Sequence, residues 1–131
     1  MREYKFRGKT LDGNEWCYGY FVVKPDKQTL IEQCDELRRV SPQYVVDPET
    51  VGIYTGHCDV MGTDMYEGDI VTGYFEEDEW PAVVEWDEVS ARFVLRGQIS
   101  FIPFDEMGGL EVMLLGNVHD NRDLLEVEED A

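Results

Sequence analysis

The sequence predicts an all-β fold: a small barrel or a pair of fused SH3-like β-sheets, with a short C-terminal helix. Two observations carry this. Short segments with apolar residues at every second position recur along the chain, as half-buried strands require. Turn-forming Gly, Pro, Asp and Asn separate them at short intervals. No internal repeat, low-complexity segment or linker divides the chain, so a single domain is expected over residues 1–131.

The elements follow in order. Glu3 to Arg7 alternates, with Tyr4 and Phe6 on one face and Lys5, Arg7 and Lys9 on the other. Asp12-Gly13 marks a hairpin turn. Glu15 to Val23 reads as a long strand in which Gly19 signals a bulge or a close backbone approach. Thr29 to Gln33 is a strand, and Asp35 to Arg39 offers at most one helical turn. Gln43 to Val46 is a strand stopped by Asp47-Pro48, and Thr50 to Tyr54 is the next. Ile70 to Phe75 leads to the acidic tip Glu76 to Glu79, and Ala82 to Trp86 follows. Asp87 to Ser90 turns the chain into Arg92 to Arg96. Gly97 to Phe104 is a short segment broken by Pro103, and Met107-Gly108-Gly109 is a turn. Val112 to Leu115 closes the sheet, and Asp120 to Val127 is the expected helix, docked through Leu124 and Leu125.

Between these strands, Tyr54 to Val71 concentrates glycines and acids. Gly56, Gly62 and Gly68 are expected at turns or bulges, because glycine reaches positive φ without a Cβ clash. Thr55 to Thr63 reads as a loop. Asp59, Asp64 or Asp69 is expected to accept backbone N–H bonds and to hold this loop against the first hairpin. The rival expectation makes the same stretch a binding site, with Tyr54, Asp59, Tyr66, Glu67 and Asp69 around a pocket.

Charge narrows the function. The net charge is −18. Residues 1–40 hold 8 Lys/Arg against 7 Asp/Glu, whereas residues 41–91 hold 13 acids and no Lys or Arg. Such a field argues against direct nucleic-acid binding, which rests on cations neutralising phosphate. It suits solubility, a basic partner or mimicry of nucleic acid. The Lys5, Arg7, Lys9 stripe beside it predicts self-association. There is no apolar run long enough for a membrane span and no secretory leader. Three widely spaced cysteines, Cys17, Cys34 and Cys58, point to a reducing cytoplasm.

Catalytic chemistry finds little support. His57, Cys58 and Asp59 are neighbours and lack zinc-ligand spacing, so no metal is expected. Glu67 and Asp69 are two apart, but turn carboxylates commonly cap backbone N–H groups. No nucleophile motif or phosphate loop is present, so neither a catalytic residue nor a cofactor is expected. Trp16, Tyr18 and Tyr20 share a strand face, and Trp80 and Trp86 flank the acidic tip; core packing is the expected use of all five.

Several segments resemble a known family. They are R-E-Y-K-F-R (Arg2 to Arg7), W-C-Y-G-Y-F (Trp16 to Phe21), V-D-P-E-T-V-G-I-Y-T-G (Val46 to Gly56) and D-V-M-G-T-D-M-Y-E-G-D-I-V (Asp59 to Val71). V-V-E-W-D (Val83 to Asp87) and L-G-N-V-H-D-N-R-D-L-L (Leu115 to Leu125) complete the set. Together they resemble the YopX-like proteins of bacteriophages and prophages, with Arg122 where relatives often carry proline. The resemblance implies a mostly β fold in a phage or prophage setting inside a bacterial host. It implies no reaction, because the family has no known activity. The expected function is therefore an accessory protein that binds another, unidentified protein. The alternative is a small enzyme or ligand-binding barrel built on residues 54–71.

Overall fold

In a computed structural model the structure describes residues 5–33, 41–73, 80–97, 101–104 and 111–125. The chain divides into two compact units, Met1–Tyr54 and Thr55–Ala131. Strands account for 56% of the chain and no helix reaches seven residues, so the all-β expectation stands. Both sheets are antiparallel, and no closed barrel forms. The expected helical turn at 35–39, acidic tip at 76–79 and turn at 107–109 lie outside the described residues.

Alternation sets the first unit. Strands β1 (Phe6–Lys9), β2 (Trp16–Val23), β3 (Thr29–Glu32) and β4 (Gln43–Val45) lie in the order β4-β3-β2-β1. The start of β5 (Gly52–Cys58) pairs with β1 on its other side. In the first hairpin Arg7 faces Tyr18 and Lys9 faces Trp16. The opposite face carries the core cluster: Cys17, Ile31 and Val46, with Phe6 and Val51 packed against it. Gly19 is the expected close approach, since a Cβ there would sit 2.2 Å from the Glu32 carbonyl oxygen. The hairpin turn is present, but Asn14 rather than Gly13 takes positive φ, at 51°. Asparagine is among the few side chains that tolerate that region.

After β4 the chain is tied back to β1. Thr10 and Val46 form an antiparallel bridge, and the Asp47 N–H donates to the Lys9 carbonyl at 2.9 Å. A 3-10 turn, Pro48–Thr50, occupies the expected start of the next strand. Proline fixes φ there, and the Asp47 side chain accepts from the Glu49 N–H as a cap. The Thr50 hydroxyl donates to Asp47 and accepts from the Lys9 N–H, which locks the turn on β1.

The second unit holds β6 (Asp64–Tyr66) beside the end of β5. It also holds a sheet of β7 (Asp69–Gly73), β8 (Ala82–Asp87), β9 (Arg92–Arg96), β10 (Phe101–Pro103) and β11 (Val112–Asn117). The sheet order is β10-β9-β8-β7-β11. Ile70 and Val71 on β7, and Phe93, Val94 and Leu95 on β9, are buried in succession. Strands covered on both faces read as continuous apolar runs instead of alternations. β11 runs two residues past its expected end, through a register shift against β7 between Leu114 and Gly116. The expected C-terminal helix is a single 3-10 turn, Arg122–Leu125, held by Asn121, whose side-chain oxygen accepts from the Asn117 N–H.

Candidate functional site

The central stretch is built on its glycines. Gly56, Gly62 and Gly68 all have positive φ, at 85°, 84° and 90°. Gly56 lies inside β5, where a loop was expected. The Thr55 hydroxyl bridges that irregularity: it donates to the Met65 carbonyl at 2.9 Å and accepts from the His57 N–H at 3.1 Å.

Asp59 follows directly. One carboxylate oxygen accepts the N–H groups of Met61 and Thr63, each at 2.9 Å, and so closes the turn. The other accepts the Leu114 N–H of β11 at 3.0 Å. The tie runs to β11 and not to the first hairpin, and the Val60 N–H to Val112 carbonyl bond reinforces it. Burial raises the carboxyl pKa, but the bonds from Leu114, Thr63 and Met61 outweigh this and hold it below 3.8, the ordinary value. Asp69, 1% exposed, accepts the Tyr66 N–H at 2.7 Å and so spans the Glu67-Gly68 turn. Gly68 then donates to Val84 on β8 and accepts from Val118. The Asp64 carboxylate accepts from the Cys58 thiol at 3.3 Å.

The five candidate residues therefore occupy different settings. Tyr54 is buried at the end of the first unit, with the Lys5 ammonium 4.7 Å from its ring centroid. Asp59, Tyr66 and Asp69 are buried, and the backbone bonds of the two aspartates organise turns. Glu67 is half-buried and lines an open cleft of about 360 Å³ with Glu85, Trp86, Val118 and Arg122. Among the described residues no group of three or more His, Cys, Asp or Glu could hold a metal ion.

The first unit presents what sequence reasoning missed. Tyr18 and Tyr20 are 45% and 58% exposed, although core packing was expected. The physical reason is that the core cluster draws Cys17 and Ile31 from the other face of the sheet. Trp86, also expected in a core, is exposed and stacks edge-on against Phe93 at 5.0 Å between centroids. The basic stripe works within its own sheet: the guanidinium of Arg7 lies 4.5 Å from the Trp16 ring centroid and the ammonium of Lys9 5.7 Å. The signal available in the sequence was the facing pair Lys-x-Arg-x-Lys and Trp-x-Tyr-x-Tyr, once the hairpin register is drawn.

At the turn of that hairpin lies a second open cleft, of about 440 Å³. Asp12, Glu15, Trp16, Cys17, Gln33 and Tyr44 line it. Burial pushes the Cys17 thiol above its ordinary pKa, and the thiol donates to the Gly8 carbonyl, so it is a packing group and not a nucleophile.

Residues 5–126 match the family model described as YopX protein. The chain belongs to the YopX family. The match spans both compact units. No curated protein matches. Among solved structures, the chain is similar to the crystal structure of protein EF1440 from Enterococcus faecalis, with 16% identity and a TM-score of 0.57. The likeness covers 96% of this chain and 100% of that one. At that identity the likeness extends to the fold alone.

Chemically, this YopX chain offers surfaces more than a reaction centre. Asp59 is committed to three N–H donors, and a carboxylate held that way is a poor proton carrier near neutrality. Exposed tyrosines on a rigid strand are a different resource. They present apolar area and a polar tip at low entropic cost, which suits recognition.

Proposed function

We propose that this YopX-family chain is a phage or prophage accessory protein that acts in the bacterial cytoplasm by binding another protein. The docking face is the outward side of β2. The observation that carries the reading is the exposure of Tyr18 and Tyr20 two residues apart on one strand. Tyrosine is enriched at the centres of protein interfaces, and a sheet face holds it without further ordering. Free Cys17 and Cys58 suit a reducing compartment. Among the described residues no helix is long and apolar enough to cross a membrane.

Affinity purification from an infected or lysogenic host tests the reading. A reproducible partner is expected with the natural chain and is lost with Tyr18→Ala/Tyr20→Ala. Equal recovery with both forms would overturn it. Self-association belongs to the same proposal, with the tyrosine face as the contact. Light scattering should then show a dimer that the double substitution dissociates.

A ligand-binding role is favoured by one residue of the central stretch, Glu67, through its cleft with Trp86 and Arg122. Saturable small-ligand binding abolished by Glu67→Gln would move the reading there. Nucleic-acid mimicry is weakened, because Asp59 and Asp69, two of the 13 acids in residues 41–91, point their charge at backbone N–H groups.

A further inference from the structure

We propose that the cleft at the turn of the first hairpin receives a basic side chain, an arginine or lysine, from the protein partner. This rests on the protein-binding reading and adds to it the chemistry of the partner's contact.

Two carboxylates, Asp12 and Glu15, line this cleft, and no lysine or arginine does. Both are exposed, and neither makes a side-chain hydrogen bond or ion pair among the described residues. The lining is therefore net negative, which excludes an anionic ligand. Two carboxylates also fall short of the oxygen shell that a calcium ion needs. A single cationic side chain fits better. Trp16 and Tyr44 give its alkyl stem an apolar wall, while the charged head reaches Asp12 and Glu15. The Gln33 amide and the Tyr44 hydroxyl are further groups for its N–H donors.

The hairpin fixes this arrangement. The Thr10 hydroxyl accepts the Glu15 N–H at 3.1 Å, and the Asn14 N–H donates to the Thr10 carbonyl at 3.0 Å. Asp12 and Glu15 are thus carried on a turn closed by its own bonds, which lowers the ordering cost of binding. The net charge of −18 attracts basic partners in general, and this cleft gives that attraction a specific seat.

The test is a nuclear magnetic resonance titration of the isotope-labelled full chain with three blocked tripeptides: Gly-Arg-Gly, Gly-Lys-Gly and Gly-citrulline-Gly. Citrulline keeps the shape of arginine and removes its charge. Saturable shifts are expected at the Asp12, Gly13 and Glu15 amides and at the Trp16 indole with the basic peptides. Citrulline should bind at least about tenfold more weakly, since charge-assisted hydrogen bonds are the stronger kind. Asp12→Asn/Glu15→Gln should abolish the shifts and leave the rest of the spectrum unchanged. Equal binding of citrulline, shifts centred elsewhere, no saturation or full retention by the double variant would each overturn the proposal. Tyr18→Ala/Tyr20→Ala separates the two claims. If it retains both peptide binding and partner capture, the docking reading fails and the cleft stands. If it loses capture while the natural chain shows no peptide shifts, the cleft fails and the docking reading stands.

Discussion

Strand β9 in the second unit buries three consecutive residues, Phe93, Val94 and Leu95. Strand β2 in the first unit leaves Tyr18, Tyr20, Phe21 and Val23 exposed along one strand. Both are rich in apolar and aromatic residues, so composition does not separate them. What separates them is whether other side chains cover the second face. The difference teaches that an aromatic strand is evidence for burial only when its neighbours supply a cover. Where they do not, the same residues become a surface that solvent or a partner must meet.

The comparison is sharpened first in the buried sheet. Leu95→Ala should destabilise by about 2–5 kcal/mol in urea unfolding, because it removes fully buried methyl groups from a strand packed on both sides. A loss no larger than that of Tyr20→Ala would erase the contrast between the sheets.

The next effect belongs to the clasp. Asp59→Ala leaves the N–H groups of Met61, Thr63 and Leu114 without their acceptor and should cost about 1–3 kcal/mol. The same carboxylate gives the acid dependence a sign. Its folded pKa lies below 3.8, so its contribution is present above that value and is lost as pH falls through the folded pKa. Acid unfolding should be shallower in Asp59→Asn than in the natural chain. Asp87, whose carboxyl the Ser90 hydroxyl also holds below the ordinary value, stays in both forms and leaves a residual slope. Identical acid limbs would remove Asp59 from the clasp.

A smaller effect is expected at Gly56. An added Cβ there meets nothing within 4 Å, so Gly56→Ala isolates backbone strain and should cost about 1–2 kcal/mol. Smallest is Tyr20→Ala on β2, with a stability change within about 0.5 kcal/mol in the same unfolding assay.

Much of the fold was legible because its signals are local. Alternation, Asp-Gly and Gly punctuation and the Asp47-Pro48 stop placed the strands within a residue or two at most ends. The three positive-φ glycines were legible for the same reason, since only the chain's own geometry decides them. What was not legible depends on partners distant in sequence. Asp59 meets Leu114 across 55 residues, and no spacing rule reports that contact. Gly56 looked like the beginning of a loop because the Thr55 hydroxyl, which keeps β5 going through it, carries no sequence signal of that role. The hairpin cleft escaped notice because Tyr44 and Gln33 join Asp12 and Glu15 only after β3 and β4 fold back. The exposure of Tyr18 and Tyr20 was misjudged because an alternating strand does not say which of two faces finds a cover.

The central claim is that the outward tyrosines of β2 serve binding and not folding. Titration calorimetry of the captured partner into the natural chain and into Tyr18→Ala/Tyr20→Ala tests it most directly. The account predicts a loss of about 2 kcal/mol or more in binding free energy, the size of an interface hot spot, with the urea midpoint of the free chain nearly unchanged. Affinities within twofold of each other, or a variant that unfolds before it can be titrated, would contradict it.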